Sequence, residues 1–313
     1  MNWLRDILLP AQGTEYAGKV DDLFLFILYV SGFFFFLVTG LILYFTWRYR
    51  RRGPNDRTPK ITHNFKLEVV WTVIPLMIVM VIFVWGFHGY LDATVAPKDA
   101  LEIRVTGKRW MWQFEYPNGT RTVNDLRVPV GKPVKLILTS DDVIHSFFVP
   151  SFRIKADLLP DRYTQLWFTP EKEGLHVLFC AEYCGTGHSV MGGKIHVLSE
   201  SQYQDWLERG DETTQAMPLA ELGALLYQSR GCATCHSLDG RRGQGPSFKG
   251  IFGHTQRMTD GTEALVDENY LRESILQPQA KIVEGYQAIM PTFQGLLTER
   301  EIQALSEFIK AQK

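Results

Sequence analysis

The run Cys180-Ala181-Glu182-Tyr183-Cys184-Gly185-Thr186-Gly187-His188-Ser189-Val190-Met191 puts two thiols, an imidazole and a thioether within one loop's length. Soft sulfur donors together with imidazole nitrogen select copper over magnesium, calcium or manganese. His145, in Asp142-Val143-Ile144-His145-Ser146-Phe147, can supply a second imidazole. A mononuclear blue-copper site uses one Cys. Two thiolates flanked by two histidines and a Met suit two copper ions bridged by both sulfurs. Zinc takes Cys, His and carboxylate donors rather than Met, and a disulfide would leave His188 and Met191 without a role.

A second constellation follows in Gly231-Cys232-Ala233-Thr234-Cys235-His236. Cys-x-x-Cys-His is the attachment sequence of c-type haem, in which each thiol adds to a vinyl group and the His ligates iron. All 4 cysteines are then used, so no stapling disulfide remains. A thioredoxin-type redox pair is the alternative, but it needs a strand before it and a helix after it. Here a helical pattern precedes and a Gly-rich loop, Asp239 to Gly245, follows. Met290, in Ile289-Met290-Pro291, is the favoured sixth iron ligand, because Pro291 imposes an irregular backbone there. Met258 is its competitor, and His254 reads as a surface residue.

These sites need elements to hold them. The 313 residues, 45% of them hydrophobic, leave room for two ordinary domains and a membrane anchor. A net charge of −1 without a polybasic tract gives no reason to expect a nucleic-acid partner. Leu23 to Trp47 and Val69 to Leu91 are uncharged runs, each longer than the roughly 20 residues that cross a bilayer. The connection between them carries Arg48, Arg50, Arg51, Arg52, Arg57, Lys60 and Lys66 against Asp56 alone. The positive-inside rule makes that loop cytoplasmic and puts both termini outside. Haem c and thiolate copper are assembled outside the cytoplasmic membrane, so the chemistry and the charge pattern agree on one topology.

From Leu101 to about Leu198 the pattern becomes β-rich: Leu101–Thr106, Trp110–Tyr116, Pro133–Thr139, Tyr163–Thr169, Leu175–Phe179 and Lys194–Leu198. Strands at this spacing predict a β-sandwich or Greek-key barrel. A short helix with a Ser cap and a Gly stop is expected over Ser199–Gly210, then a polar linker, Asp211 to Gln215. Helices are expected over Pro218–Ser229, Glu268–Leu276 and Thr298–Ala311, the last opened by a Thr298–Glu301 capping box. Helices around a haem motif suit a small cytochrome c.

The two spans, the run Gly107-Lys108-Arg109-Trp110-Met111-Trp112-Gln113-Phe114-Glu115-Tyr116, the His145 motif and the whole copper loop resemble subunit II of haem–copper cytochrome c oxidases. The Cys-x-x-Cys-His region makes the chain similar to the caa-type branch, in which a cytochrome c is fused at the C-terminus. The resemblance implies an external N-terminal segment (1–22), a two-helix transmembrane hairpin (23–91) and an all-β cupredoxin-like Greek-key domain (92–200). A short helix and linker (201–216) and an all-α class I cytochrome c domain (217–313) complete it.

It further implies that Cys180 and Cys184 bridge the dinuclear CuA centre, with His145 and His188 capping one copper each. Met191 and the Glu182 carbonyl are then weak ligands, and the Glu182 carboxylate faces a magnesium shared with subunit I. Trp110 matches the aromatic residue of electron entry, and Glu68 the acid at a proton-channel entrance. Partners implied are subunits I and III, membrane lipid, and as donor a cytochrome c or an upstream quinol-oxidising complex. One departure is Pro160-Asp161-Arg162, where many relatives carry Gly; Asp161 is expected to accept the left-handed backbone. A nitrous-oxide-reductase-like CuA module has no use for Glu68 or two spans, and a copper chaperone has none for haem c.

Overall fold

The computed structural model describes residues 3–57, 60–210 and 215–313, and divides into two compact units. The first comprises α1 (Trp3–Leu8), α2 (Glu15–Arg48) and α3 (Phe65–Thr94). Helices α2 and α3 are long and apolar enough to cross a membrane and extend beyond the expected runs at both ends. Phe26 lies against Trp85 and Phe34 against Trp71, with ring centroids 5.7 and 6.2 Å apart, so aromatic pairs join the two helices. Asn64 caps α3 by accepting the Leu67 amide, and the Glu68 carboxylate accepts the Asn64 amide at 3.2 Å. Most apolar side chains of both helices are exposed, a surface that only lipid or another chain can cover.

The second unit holds a β-sandwich and a helical domain. The strands are β1 (Leu101–Lys108), β2 (Met111–Glu115), β3 (Arg121–Val123), β4 (Asp125–Pro129) and β5 (Val134–Ser140). They continue with β6 (His145–Val149), β7 (Ile154–Leu158), β8 (Thr164–Phe168), β9 (Gly174–Cys180) and β10 (Gly192–Leu198). One sheet runs β3-β2-β1-β5-β8 and the other β4-β10-β9-β6-β7. The parallel pairs β1–β5 and β4–β10 make this a crossed-over sandwich rather than a meander. Strand β5 shows why it forms: Val134, Leu136 and Leu138 are buried and the residues between them are not. Trp112, Phe114, Phe147, Leu178 and Ile195 fill the space between the sheets.

Six of these strands are the expected ones; β3, β4, β6 and β7 are additional. Strand β3 has three residues, too few for a periodic signal, and β6 is buried along nearly its whole length, so it shows no alternation. His145 therefore opens a strand rather than sitting in a loop. Asp161 takes φ 59°, the left-handed conformation expected of it.

Helix α4 (Glu200–Arg209) has the expected Ser199 cap, here a full capping box with Gln202, and stops at Gly210. Asp211 to Thr214 of the expected linker lie outside the described residues. The helical domain contains α5 (Leu219–Ser229), α6 (Glu268–Leu276) and α7 (Glu299–Lys310), and Glu301 accepts the Thr298 amide at 2.8 Å as its capping box requires. A small hairpin, β11 (Thr255–Arg257) with β12 (Glu263–Leu265), is added to this helical domain. Its turn carries Asp260-Gly261, a hairpin signal in the sequence, with Gly261 at φ 83°. Helices α5 and α7 cross so closely that a Cβ on Gly223 would lie 2.1 Å from the Ala304 carbonyl oxygen.

Candidate copper and haem sites

Strand β9 ends on Cys180, and the loop to β10 turns back so that Cys184, His188 and Met191 return to it. The Cys180 and Cys184 sulfurs are 3.8 Å apart and both residues are buried. His188 Nδ1 is 3.5 Å and Met191 Sδ 3.7 Å from the Cys184 sulfur. The Glu182 carbonyl is 3.2 Å from the Cys180 sulfur, and His145 Nδ1 arrives from β6 at 4.0 Å. The donor atoms of His145, Cys180 and Cys184 all lie within 4.8 Å of one another. The structure thus gathers every loop residue singled out from the sequence.

Burial alone would hold both thiols protonated. At Cys180, hydrogen bonds with His145 and the Ser146 and Glu182 backbone outweigh burial and move the thiol down. At Cys184, burial and the neighbouring Cys180 thiolate both push the thiol up. The pair gives up one proton readily and the second only against its own negative charge. A site of this kind is completed by cations, and two buried thiolates with imidazole and thioether donors fit copper.

Asp142, which sequence reasoning passed over, accepts from His145 Nε2 at 2.9 Å. That bond leaves Nδ1 of the imidazole turned to the sulfurs. The other carboxylate oxygen accepts from the Arg109 amide at 2.9 Å and from its Nε at 3.2 Å. Burial raises the Asp142 carboxyl, but the bonds from His145 and the Arg109 and Val143 amides hold it well below the ordinary range. Its place three residues before His145 was the available signal.

Trp110 is 8% exposed and donates its indole N–H to the Cys184 carbonyl at 3.1 Å. A Cβ on Gly187 would lie 2.4 Å from the indole, so only Gly lets the loop press flat against this ring.

The haem motif forms a short 3-10 turn, Cys232–Thr234, beyond α5. It opens onto a cavity whose walls include Cys232, Cys235, His236 and Met290. His236 Nδ1 donates to the Pro246 carbonyl at 2.7 Å, which leaves Nε2 with a lone pair available to a metal. Phe248 stacks on the imidazole, and a Cβ on Gly245 would lie 2.5 Å from it. Burial keeps His236 neutral and pushes the Cys232 thiol up to about 12 and Cys235 up as well. A redox Cys pair needs a lowered thiol, so these two fit attachment rather than exchange. An apolar cavity lined by a neutral His and a thioether fits haem.

Met258 is not on that wall; it is 2% exposed, packed with Ile251, Val266 and Tyr270. His254 is exposed, as are the carboxylates of Glu68 and Glu182.

Three family models match the chain. "Cytochrome C oxidase subunit II, transmembrane domain" matches residues 4–88, "Cytochrome C oxidase subunit II, periplasmic domain" residues 120–198, and "Cytochrome c" residues 220–313. Cytochrome c oxidase subunit 2 of Alkalihalophilus pseudofirmus is 30% identical, covering 97% of this chain and 90% of the relative. Its counterpart in Cereibacter sphaeroides is 32% identical over 59% of this chain and 73% of that one. The solved periplasmic domain of cytochrome oxidase subunit II of Bradyrhizobium japonicum is 31% identical, covers 38% of this chain and 99% of its own, and has a TM-score of 0.36.

Proposed function

Because the chain belongs to the cytochrome c oxidase subunit 2 family, we propose that it is the electron-entry subunit of a haem–copper terminal oxidase. The route runs from an external donor through covalent haem c and dinuclear CuA to the haem centres of subunit I, where dioxygen is reduced to water with proton pumping. When bound, the haem and the copper pair supply the one-electron redox chemistry that no side chain of this chain offers.

The chain's own residues hold and insulate these groups. Cys180, Cys184, His145 and His188 would hold the copper pair, with Met191 and the Glu182 carbonyl as further donors. The Glu182 carboxylate, exposed beside the loop, is available to a magnesium ion shared with subunit I. Cys232 and Cys235 would attach the haem, and His236 and Met290 would ligate its iron. The sandwich excludes water from the thiolates, which lowers the reorganisation accompanying each transfer. Glu68 sits at the start of α3, where it serves a proton path in subunit I as well as the helix cap. The two spans, 23–91, anchor the chain in the bacterial membrane with the sandwich (92–200), the cytochrome (217–313) and both termini outside. Subunit III and lipid cover further apolar surface, and a cytochrome c or a quinol-oxidising complex is the donor.

The gathering of four donor groups around Cys180 and Cys184 carries this reading. Its test is the intact purified assembly: two coppers and one haem c per chain, with a paramagnetic resonance spectrum of one electron shared by two copper nuclei. A spectrum of one isolated copper would sink the relay.

A further inference from the structure

The haem cavity is not walled by the cytochrome domain alone. Arg109, Trp110 and Met111 of the sandwich line it together with Cys232, His236 and Met290. Met111 is 3% exposed because it is inserted among Leu222 and Leu226 of α5, Ile275 of α6, Phe293 of the following loop and Ile302 of α7, with Val123 of β3 beside it. A Met filling a neighbouring domain's core buries apolar surface that a swinging domain would expose on every excursion.

Polar bonds fix the register of this contact. Arg230, the residue that ends α5, donates through one terminal nitrogen to the Val123 carbonyl at 3.2 Å and through the other to Glu301 of α7 at 2.9 Å. Both side chains of the Arg230–Glu301 pair are only 17% exposed. One guanidinium therefore ties the sandwich to both helices that frame the haem motif, with the fixed fork that Lys lacks. Asn124, at φ 57°, accepts the Trp112 amide at 2.8 Å and donates to the Ser229 carbonyl at 3.4 Å. On the far side of the cavity wall, Trp110 is bonded to the carbonyl of Cys184.

We propose that the cytochrome domain is a latched cap on the copper domain, held by the Met111 plug and the Arg230 clamp. In that position Trp110 is an interior bridge between haem and copper and is closed to outside donors. This rests on the relay reading given above. Transfer across the bridge is a one-electron exchange, haem oxidised and the copper pair reduced, with no bond made or broken and no proton required. Arg230 is a positioning residue: it stands at the edge of the haem cavity and acts by holding the domains in register.

The experiment is a dipolar distance measurement between the oxidised haem and the copper pair in the intact assembly, paired with flash-induced transfer rates at increasing solvent viscosity. The latch predicts one narrow distance distribution and a rate independent of viscosity. Arg230→Gln, with haem and copper spectra unchanged, broadens the distribution and slows transfer several-fold, now with a viscosity dependence; Arg230→Lys restores neither. A broad distribution in the unaltered protein, or an Arg230→Gln protein as narrow and as fast as the parent, overturns the latch and leaves the relay standing. Absence of either the copper or the haem signal overturns the relay itself.

Discussion

The copper loop and the haem cavity solve the same problem, holding a redox group, in opposite ways. Around Cys180 the polypeptide closes on itself: its donors lie 3.2–4.0 Å from the two sulfurs, and each is pinned by a strand end or a hydrogen bond. Around His236 the candidate ligand residues line a cavity, to which α6 contributes Tyr270, Leu271 and Ile275 and α7 contributes Leu305 and Ile309. The sandwich has its own core in Trp112, Phe114 and Phe147, independent of any metal. The cytochrome domain has smaller apolar clusters and leaves a cavity that the implied haem would fill. Loss of the bound group therefore costs the two regions very different amounts.

The largest expected effect follows from that contrast. Cys232→Ser with Cys235→Ser removes covalent haem and leaves the C-terminal domain without its central filling, a loss comparable to a small domain's whole stability, about 5 kcal/mol or more. Hydrogen exchange at α5 and α7 should become fast while the copper spectrum persists. Protected helices in that variant would show that haem is not structural.

Gly223→Ala drives a methyl group into the Ala304 carbonyl and should destabilise the same domain by about 1–3 kcal/mol, read as a lower haem-domain Tm. Asp142→Asn probes the copper side: the imidazole of His145 loses its charged partner, and copper retention against a chelator should fall roughly 10–100-fold with the sandwich intact. Equal retention would mean that backbone geometry alone orients His145.

Met290→Ala should abolish the thioether-ligated haem spectrum and slow reduction by an external donor, with the copper spectrum untouched. An unchanged haem spectrum would refute the assignment of Met290 as ligand. The smallest effect belongs to Glu68→Gln, which weakens an exposed capping bond worth about 1 kcal/mol or less. Proton uptake falling far more than stability would separate a channel role from a cap.

Legibility in the sequence followed the range of the interactions. The copper donors from Cys180 to Met191 and the haem motif from Cys232 to His236 are contiguous, so their spacing alone announced the chemistry. Helix ends at Ser199, Gly210 and Thr298 were legible because capping is decided within one turn. Strands β4 and β7 were not: each is a five-residue piece carrying two charged residues, and β4 finds its partner β10 only far along the chain.

By itself, then, the order of residues determined which groups this protein carries and which side chains can hold them, since a metal loop and a haem motif are short-range objects. Only the tertiary structure decided that Asp142 turns His145 toward the sulfurs, that Met111 is core for a neighbouring domain, and that Arg230 joins two domains. Each of those side chains looks ordinary in its own stretch. Its role comes from a residue brought beside it by folding, and such a pairing leaves no periodic trace along the chain.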